Sequence, residues 1–565
     1  MTRHSIVKAF KSPNANSPSS ILLKSGKPFL AFKQKPKILP KSQIEKLDAS
    51  TVHQLKIYRK QGLLSNKCAM LRRVFLHKTG LFETFADLLD YHFNNPDIDE
   101  AFHHRLLFKK IAQKIQSRAI LPAVSLKMIR SDDYTQDFLE AAKRSLSAAK
   151  YLKALNLTWH LAEPTNNVCF PLLAKILHFT QRITSLIVDF RNSDMNDTNL
   201  ITFSYSLSKL KHLKSLNLNL ASVGTPNNNN FSYDTNPLVC LMMALRKLKN
   251  LEELELDLSK NPLVTSDVLV ELSYAMFQMK GLKRVGITLA GTTIHSPICL
   301  SYLAQSLQSA SFLESLSLNL SKCFKDLEDI QPFTTHLANL TQLQSLHLYC
   351  DNWFSSNDDL NMQRIDQAIQ QLRNLSELVL TLNGWTTANL ITFKKTADTI
   401  SNLKSLRILA FDVSHFGQGL ESSESDEALS YLGNKLMSLH RLRELALYIS
   451  GIKGATKMGI EQLVASLTQI KNVRTLIVIA DGYEELNEKA LCDIFRHLNN
   501  SFTTLRTAEI SFKGCKLSLK NCRDLYNILK NLESKMQMEI YPDVKFLKAE
   551  IRNYQMKRRT YPTKK

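Results

Sequence analysis

One pattern dominates the chain: L-x-x-L-x-L-x-L, with Ile, Val, Ala, Phe or Trp substituting at some positions, returns about every 31 residues. Its first positions fall at 152, 183, 213, 251, 282, 313, 343, 375, 406, 442, 473 and 505. Leu213, Leu216, Leu218 and Leu220 make one copy; Leu313, Leu316, Leu318 and Leu320 make another. Twelve copies at one period mean a repeat array and not a string of unrelated domains. Inside each copy, apolar and polar residues alternate as they do in a half-buried strand. A short loop follows, then a stretch with helical spacing such as SDVLVELSYAMFQMKG (266–281) or IEQLVASLTQIKN (460–472). Several of these stretches open on Ser, Asp or Asn, whose side chains accept the orphan N–H bonds of a helix start. One strand and one helix cannot cover their own apolar face, but stacked copies cover one another. The expected fold is α/β: a curved solenoid with parallel strands on the concave face and helices on the convex face.

The motif resembles that of the leucine-rich repeat superfamily, whose units run L-x-x-L-x-L-x-x-N/C-x-L. Residues 152–515 carry the resemblance, and the full helix in each unit is similar to the ribonuclease-inhibitor-like branch with its long repeats. The ninth position, Asn or Cys in that family, here holds His160, Arg191, Ala221, Ser259, Ala290, Ser321, Asp351, Asn383, Ser414, Ser450, Asp481 and Lys513. The family's loop hydrogen bonding is therefore not expected in its usual form. An extra apolar residue at position eight (Leu220, Leu258, Leu289, Leu320, Leu382) suggests a longer strand. Such variants resemble leucine-rich repeat proteins of ciliates and of effector-injecting intracellular bacteria. The resemblance implies a fold; the role must be read from the surface.

Charge separates the ends from the middle. The net charge is +22 over 565 residues, yet residues 151–540 hold 38 basic against 37 acidic side chains. Residues 1–80 hold 17 against 2, and residues 541–565 hold 8 against 2. Four segments are expected: a basic disordered tail at 1–40, a helical N-terminal cap or adaptor at 41–150, the solenoid with its closing helix at 151–535, and a basic tail at 536–565. No apolar run reaches the roughly 18–20 residues of a membrane helix, and the N-terminus lacks the apolar core of a signal peptide. Nine scattered cysteines with no zinc-like spacing read as reduced thiols. A cytoplasmic protein is expected, with nuclear residence or injection without a cleaved signal peptide as alternatives.

Positions five and seven of each strand should face the concave surface. They include Asp189, Glu255, Asp257, His347, Tyr349, Val379, Thr381, Asp412, Tyr448, Ile477 and Ile479, the candidate binding residues. Of the 24 residues in these two columns five are acidic and none is Lys or Arg, which favours a neutral or basic partner over phosphate. The competing reading is that solvated strand faces simply favour small polar residues. Position two is basic in seven repeats (Lys153, Lys214, Lys283, Arg407, Arg443, Arg474, Arg506), a rim that meets an acidic partner or only keeps the rod soluble. Trp353 and Trp385 share position eleven with Cys323, Phe416, Ile452 and Tyr483, and are expected in the core. Two lengthened segments, 222–237 and 414–426, are expected on one rim.

No nucleotide-binding, nucleophile-elbow or zinc-protease motif occurs. Cys522-Arg-Asp524 matches the three letters of a bacterial ubiquitin-ligase motif but sits in the closing helix, and only 43 residues follow Cys522. The expectation is a non-enzymatic scaffold that binds a protein on its concave face, with no cofactor and no metal, as a host-targeted effector or an adaptor. Two alternatives remain open. One is association with nucleic acid or anionic membrane through the basic ends, where Phe29, Phe32 and Tyr58 interleave with Lys and Arg. The other is a ubiquitin-ligase adaptor with an F-box-like stretch at 38–62.

Overall fold

The structure, a computed structural model, describes residues 123–128, 143, 146, 152–159, 169–193, 195–223, 236–294, 298–323, 330–353, 358–483, 486–501, 504–515, 522–535, 537–542 and 547. The tail read at 1–40, the F-box-like stretch and most of 41–150 lie outside them. The chain divides into two compact units at Thr225/Pro226.

In the first unit, β1 (Ala123–Met128), β2 (Ala154–Trp159), β3 (Ser185–Asp189) and β4 (Ser215–Asn219) pair in parallel in sequence order. Helices Cys169–Phe179 and Asp197–Leu207 connect the last three. In the second unit, β5 (Glu253–Asp257), β6 (Arg284–Thr288), β7 (Ser315–Asn319), β8 (Ser345–Tyr349), β9 (Glu377–Thr381), β10 (Ile408–Asp412), β11 (Glu444–Tyr448), β12 (Thr475–Ile479), β13 (Thr507–Ser511) and β14 (Gln537–Tyr541) do the same. A helix returns the chain after each strand from β5 to β13. Each unit is thus the α/β array of parallel strands alternating with helices that the motif implies.

Register explains why the period is so strict. Leu254 pairs with Val285, and Leu316, Leu346, Leu378, Leu409, Leu445 and Leu476 follow in the same row. These leucines and those two residues on are buried against the helices. A slip of one residue would turn every one of them to the other face. The helices start where capping side chains stand: Asn236 and Asn389 accept from the backbone N–H of Leu238 and Thr392, and Pro237 occupies the first turn.

Two strands extend the array beyond the twelve repeats. β1 falls inside the segment expected to be helical, and its sequence explains it: Leu121, Val124, Leu126 and Met128 keep the frame, 31 residues before Leu152, with Val and Met replacing two leucines. β14 falls inside the expected basic tail, where Met538 and Ile540 hold positions four and six but Lys535 stands where the first leucine would be.

The turn after each strand repeats as faithfully as the strand. Position ten has positive φ in eleven repeats, as Asn192, Ser222, Lys260, Gly291, Lys322, Asn352, Gly384, His415, Gly451, Gly482 and Gly514. Its N–H reaches the ninth-position carbonyl of the following repeat, as from Gly384 to Ser414 at 3.0 Å. Gly384 has φ +82, and a Cβ there would lie 2.6 Å from Asn352 Oδ1. Gly384→Ala is expected to lower stability by about 1–2 kcal/mol, read as a shift in the urea midpoint. An unchanged midpoint would remove the turn from the list of stabilising features.

Position eleven supplies what the missing Asn and Cys at position nine do not. Cys323 Sγ approaches the Leu289 carbonyl at 2.9 Å, and the indole N–H groups of Trp353 and Trp385 donate to the carbonyls of Leu320 and Cys350 at 2.8 Å. The Tyr483 hydroxyl donates to the Ile449 carbonyl. In each case the acceptor is position eight of the preceding repeat. Trp353 and Trp385 are fully buried and stacked, with ring centroids 6.1 Å apart, in the core as expected.

Candidate functional site

Helices cover one face of the second unit's sheet, and the other carries positions three, five and seven of each strand. Across that face the fifth position runs Glu255, Gly286, Ser317, His347, Val379, Ala410, Ala446, Ile477, Glu509. The seventh runs Asp257, Thr288, Asn319, Tyr349, Thr381, Asp412, Tyr448, Ile479, Ser511 in the same registers. Its character changes at β8. From β5 to β7 it is polar with small side chains, and from β8 to β12 it is apolar and aromatic.

The apolar part is a second small core. Tyr349, Val379, Ala410, Ala446 and Ile477 are buried together, and Ile408, Tyr448 and Ile479 pack on them half-buried. Val379 and Ile477 are each 1% exposed, and Thr381 is buried as well. These three candidate residues are therefore the floor of the cluster, whereas Tyr448, Ile479 and His347 present accessible surface. Two alanines, Ala410 and Ala446, let the larger side chains of the flanking strands close over them.

Carboxylates surround this floor. Asp412 lies between Thr381 and Tyr448 in the seventh row and accepts the Ser414 backbone N–H at 2.8 Å. Burial raises its carboxyl to about 7, and the nearby Asp351 adds to the shift. Glu377, 4% exposed, holds His347 Nε2 at 3.0 Å, and the imidazole also lies 3.3 Å from Ser345 Oγ. Glu444 is raised first by burial and then by Glu377, which faces it across Ile408. Burial pushes the phenols of Tyr349 and Tyr448 well above their ordinary value, with Asp351 adding most of the carboxylate effect at Tyr349 and Glu509 at Tyr448. Both tyrosines thus keep their hydroxyl protons through the physiological range, as neutral donors beside acceptors.

Other candidate residues have local tasks. Asp257 accepts the Ser259 backbone N–H at 3.0 Å, closing the turn after β5. Asp189, in the first unit, receives the Arg191 N–H at 3.3 Å and forms an ion pair with the Arg191 guanidinium. The same position-seven acceptor recurs at Asn219 and Asn319. Acidic or amide residues there serve strand ends as well as the surface, a double duty the residue types alone do not reveal. Glu255 is solvent-exposed and lies over Gly286, leaning toward His347; surrounding protein raises its carboxyl and His347 opposes the rise.

Glu377, Glu444 and Ile408 were not among the expected site residues. They occupy position three, which shares its face with five and seven by the period-two rule, so the signal was present in the same strands. At position two, Lys153, Lys214, Arg407, Arg443, Arg474 and Arg506 are exposed, and Lys283 binds Glu252 at 2.8 Å. Of the lengthened segments, 224–235 lies outside the described residues, and the end of 414–426 is the first turn of helix Ser422–Leu436. Among the described residues, no His, Cys, Asp and Glu group can hold a metal ion, and no helix is long and apolar enough to cross a membrane.

No family model and no curated protein matches the chain. A solved structure similar to it is the crystal structure of the Rad7 and Elc1 complex in yeast, 15% identical, covering 84% of this chain and 96% of that one at a TM-score of 0.36.

Proposed function

We propose that the protein is a non-enzymatic scaffold that holds a protein partner on the helix-free sheet face from β8 to β12. The observation that carries this reading is the Tyr349–Tyr448 cluster: an apolar floor ordered in advance, rimmed by carboxylates and bearing neutral hydroxyls. Large aromatic side chains in such a setting supply most of the binding energy of a typical interface. A surface built on strands loses little ordering entropy when it binds. Among the described residues, the four thiols with a resolved shift lend no support to nucleophilic chemistry. Cys323 is pushed up to about 12 and Cys515 to about 11 by burial, and Cys299 and Cys350 also move upward. A nucleophile needs the opposite shift.

The test compares wild type with Tyr349→Ala/Tyr448→Ala in affinity capture from nuclease-treated extract, with circular dichroism confirming the fold. At about 2 kcal/mol for each anchor, partner affinity should fall ~30-fold for one and on the order of 10³-fold for the double variant. Because Tyr349 is buried, the half-buried Tyr448→Ala alone serves as the milder variant. Undiminished capture by a folded double variant would remove this face from the function.

A further inference from the structure

We propose that the chain's own basic N-terminal segment, residues 1–40, docks on this sheet face and occupies the binding surface until a partner displaces it. The inference rests on that face being a recognition surface, and three features of the chain support it.

Charge is the first. From β9 to β13 the outward positions hold Glu377 and Asp412, which are buried, and Glu444 and Glu509, which are half-buried, and the fifth and seventh rows from β5 to β13 contain no Lys or Arg. Glu377 and Glu444 share one row of this face on either side of Ile408, and after burial Glu377 is the next cause that raises the Glu444 carboxyl. A cation placed beside Glu444 would offset that effect. Residues 1–40 carry Arg3, Lys8, Lys11, Lys24, Lys27, Lys33, Lys35 and Lys37 and no acidic residue.

Apolar pattern is the second. The floor of Val379, Ala410, Ala446 and Ile477 is covered by the half-buried Ile408, Tyr448 and Ile479, which form the accessible apolar surface. Within the segment, Lys27-Pro-Phe29-Leu-Ala-Phe32-Lys33 puts two aromatic rings between two lysines. Extended at about 3.3 Å per residue, Lys27 and Lys33 stand ~20 Å apart. β9 and β13, which carry Glu377 and Glu509, are four strand spacings apart, about 19 Å. In an extended segment Lys27, Phe29 and Lys33 share one face, so the lysines can reach carboxylates at both ends while Phe29 lies against the surface between them.

Tethering is the third. The segment and the face belong to one chain, with residues 41–122 between the segment and β1. Covalent attachment makes docking intramolecular, so modest intrinsic affinity suffices for occupancy.

The experiment uses the full-length protein as a mixture of isotopically light and heavy chains. Carbodiimide joins lysines to carboxylates in contact, and mass spectrometry locates the links. Links within one chain, from lysines of 1–40 to Glu377, Asp412, Glu444 or Glu509, are the expected result. They should fall about tenfold in ~0.5 M salt, where the Debye length is only a few ångströms. They should also fall about tenfold in Phe29→Ser/Phe32→Ser, which keeps every lysine and carboxylate and leaves the repeats untouched. Links only between light and heavy chains would assign the face to a second copy and overturn the proposal. Links to other surfaces, or none at all, would overturn it too. Loss of partner capture in the tyrosine variants without these links leaves the scaffold reading standing and this inference failed. Links with capture unaffected by the tyrosines do the reverse.

Discussion

Trp385→Ala should lower the unfolding free energy by about 3–5 kcal/mol, one of the two largest effects expected of any single change described. Its ring is fully buried, stacks on Trp353 at 6.1 Å, and donates its N–H to the Cys350 carbonyl. Removing it creates a cavity and strands a buried acceptor at the same time. Trp385→Phe separates the two contributions, because it keeps most of the apolar volume and loses the donor. That variant should lose about 1–3 kcal/mol, the usual penalty for an unsatisfied buried polar group. The Cys350 carbonyl adjoins Tyr349 in sequence, so the same variant is expected to loosen the first strand of the candidate site. Urea unfolding and amide exchange over β8 and β9 measure both effects. If Trp385→Phe matches wild type in midpoint and exchange, the position-eleven ladder is packing alone.

The fold was legible because repetition averages over exceptions. Any one copy of the motif is ambiguous, but Leu251 to Leu258, read beside Leu282 to Leu289, is not. What escaped reading were the departures from the averaged motif. Val124 and Met128 are adequate strand residues that a search for leucines passes over, and Lys535 hides β14. The left-handed turn was visible in part: Gly291, Gly384, Gly451, Gly482 and Gly514 all stand at position ten. Lys260, Lys322 and His415 adopt the same positive φ and conceal the rule, since the stack fixes the backbone there whatever the side chain.

The site was legible by row but not by depth. Alternation places Val379, Thr381 and Ile477 on the helix-free face, and the registers agree. Whether a residue on that face is contact surface or floor depends on its lateral neighbours, one repeat away. Tyr349 and Tyr448 flank Thr381 and Asp412 only because three strand crossings bring positions 349, 381, 412 and 448 into one line. No local window contains that line. The acceptor task of Asp189, Asp257 and Asp412 at their own turns was hidden for a similar reason, since a side chain two residues from a backbone N–H looks the same in any loop.

Two buried aspartates should make the protein more stable at pH 5 than at pH 8. Asp366, in helix Asp358–Gln371, is 3% exposed; Thr396 donates to its Oδ2 at 2.8 Å, and its Oδ1 has no hydrogen-bond partner. Burial raises it from 3.8 to about 7, as it does Asp412. The folded state therefore keeps both protons up to about pH 7, whereas the unfolded chain releases them near pH 4. Between those limits the folded state binds more protons, so stability falls as pH rises, by ~1.4 kcal/mol per unit for each group. The contribution is fully present below the unfolded value and gone above the folded one. From pH 5 to pH 8 each aspartate should account for a loss on the order of 3 kcal/mol. Asp366→Asn and Asp412→Asn imitate the protonated acid and should each flatten the urea-midpoint profile over this range, with the double variant flattest. A double variant that retains the wild-type slope would show that both carboxylates ionise in the folded protein without penalty. Asp412 has a second consequence, because it lies at the centre of the tyrosine cluster: its ionisation near neutrality makes the floor of the site negative above about pH 7. Affinity for a cationic segment should then rise over the range in which stability falls.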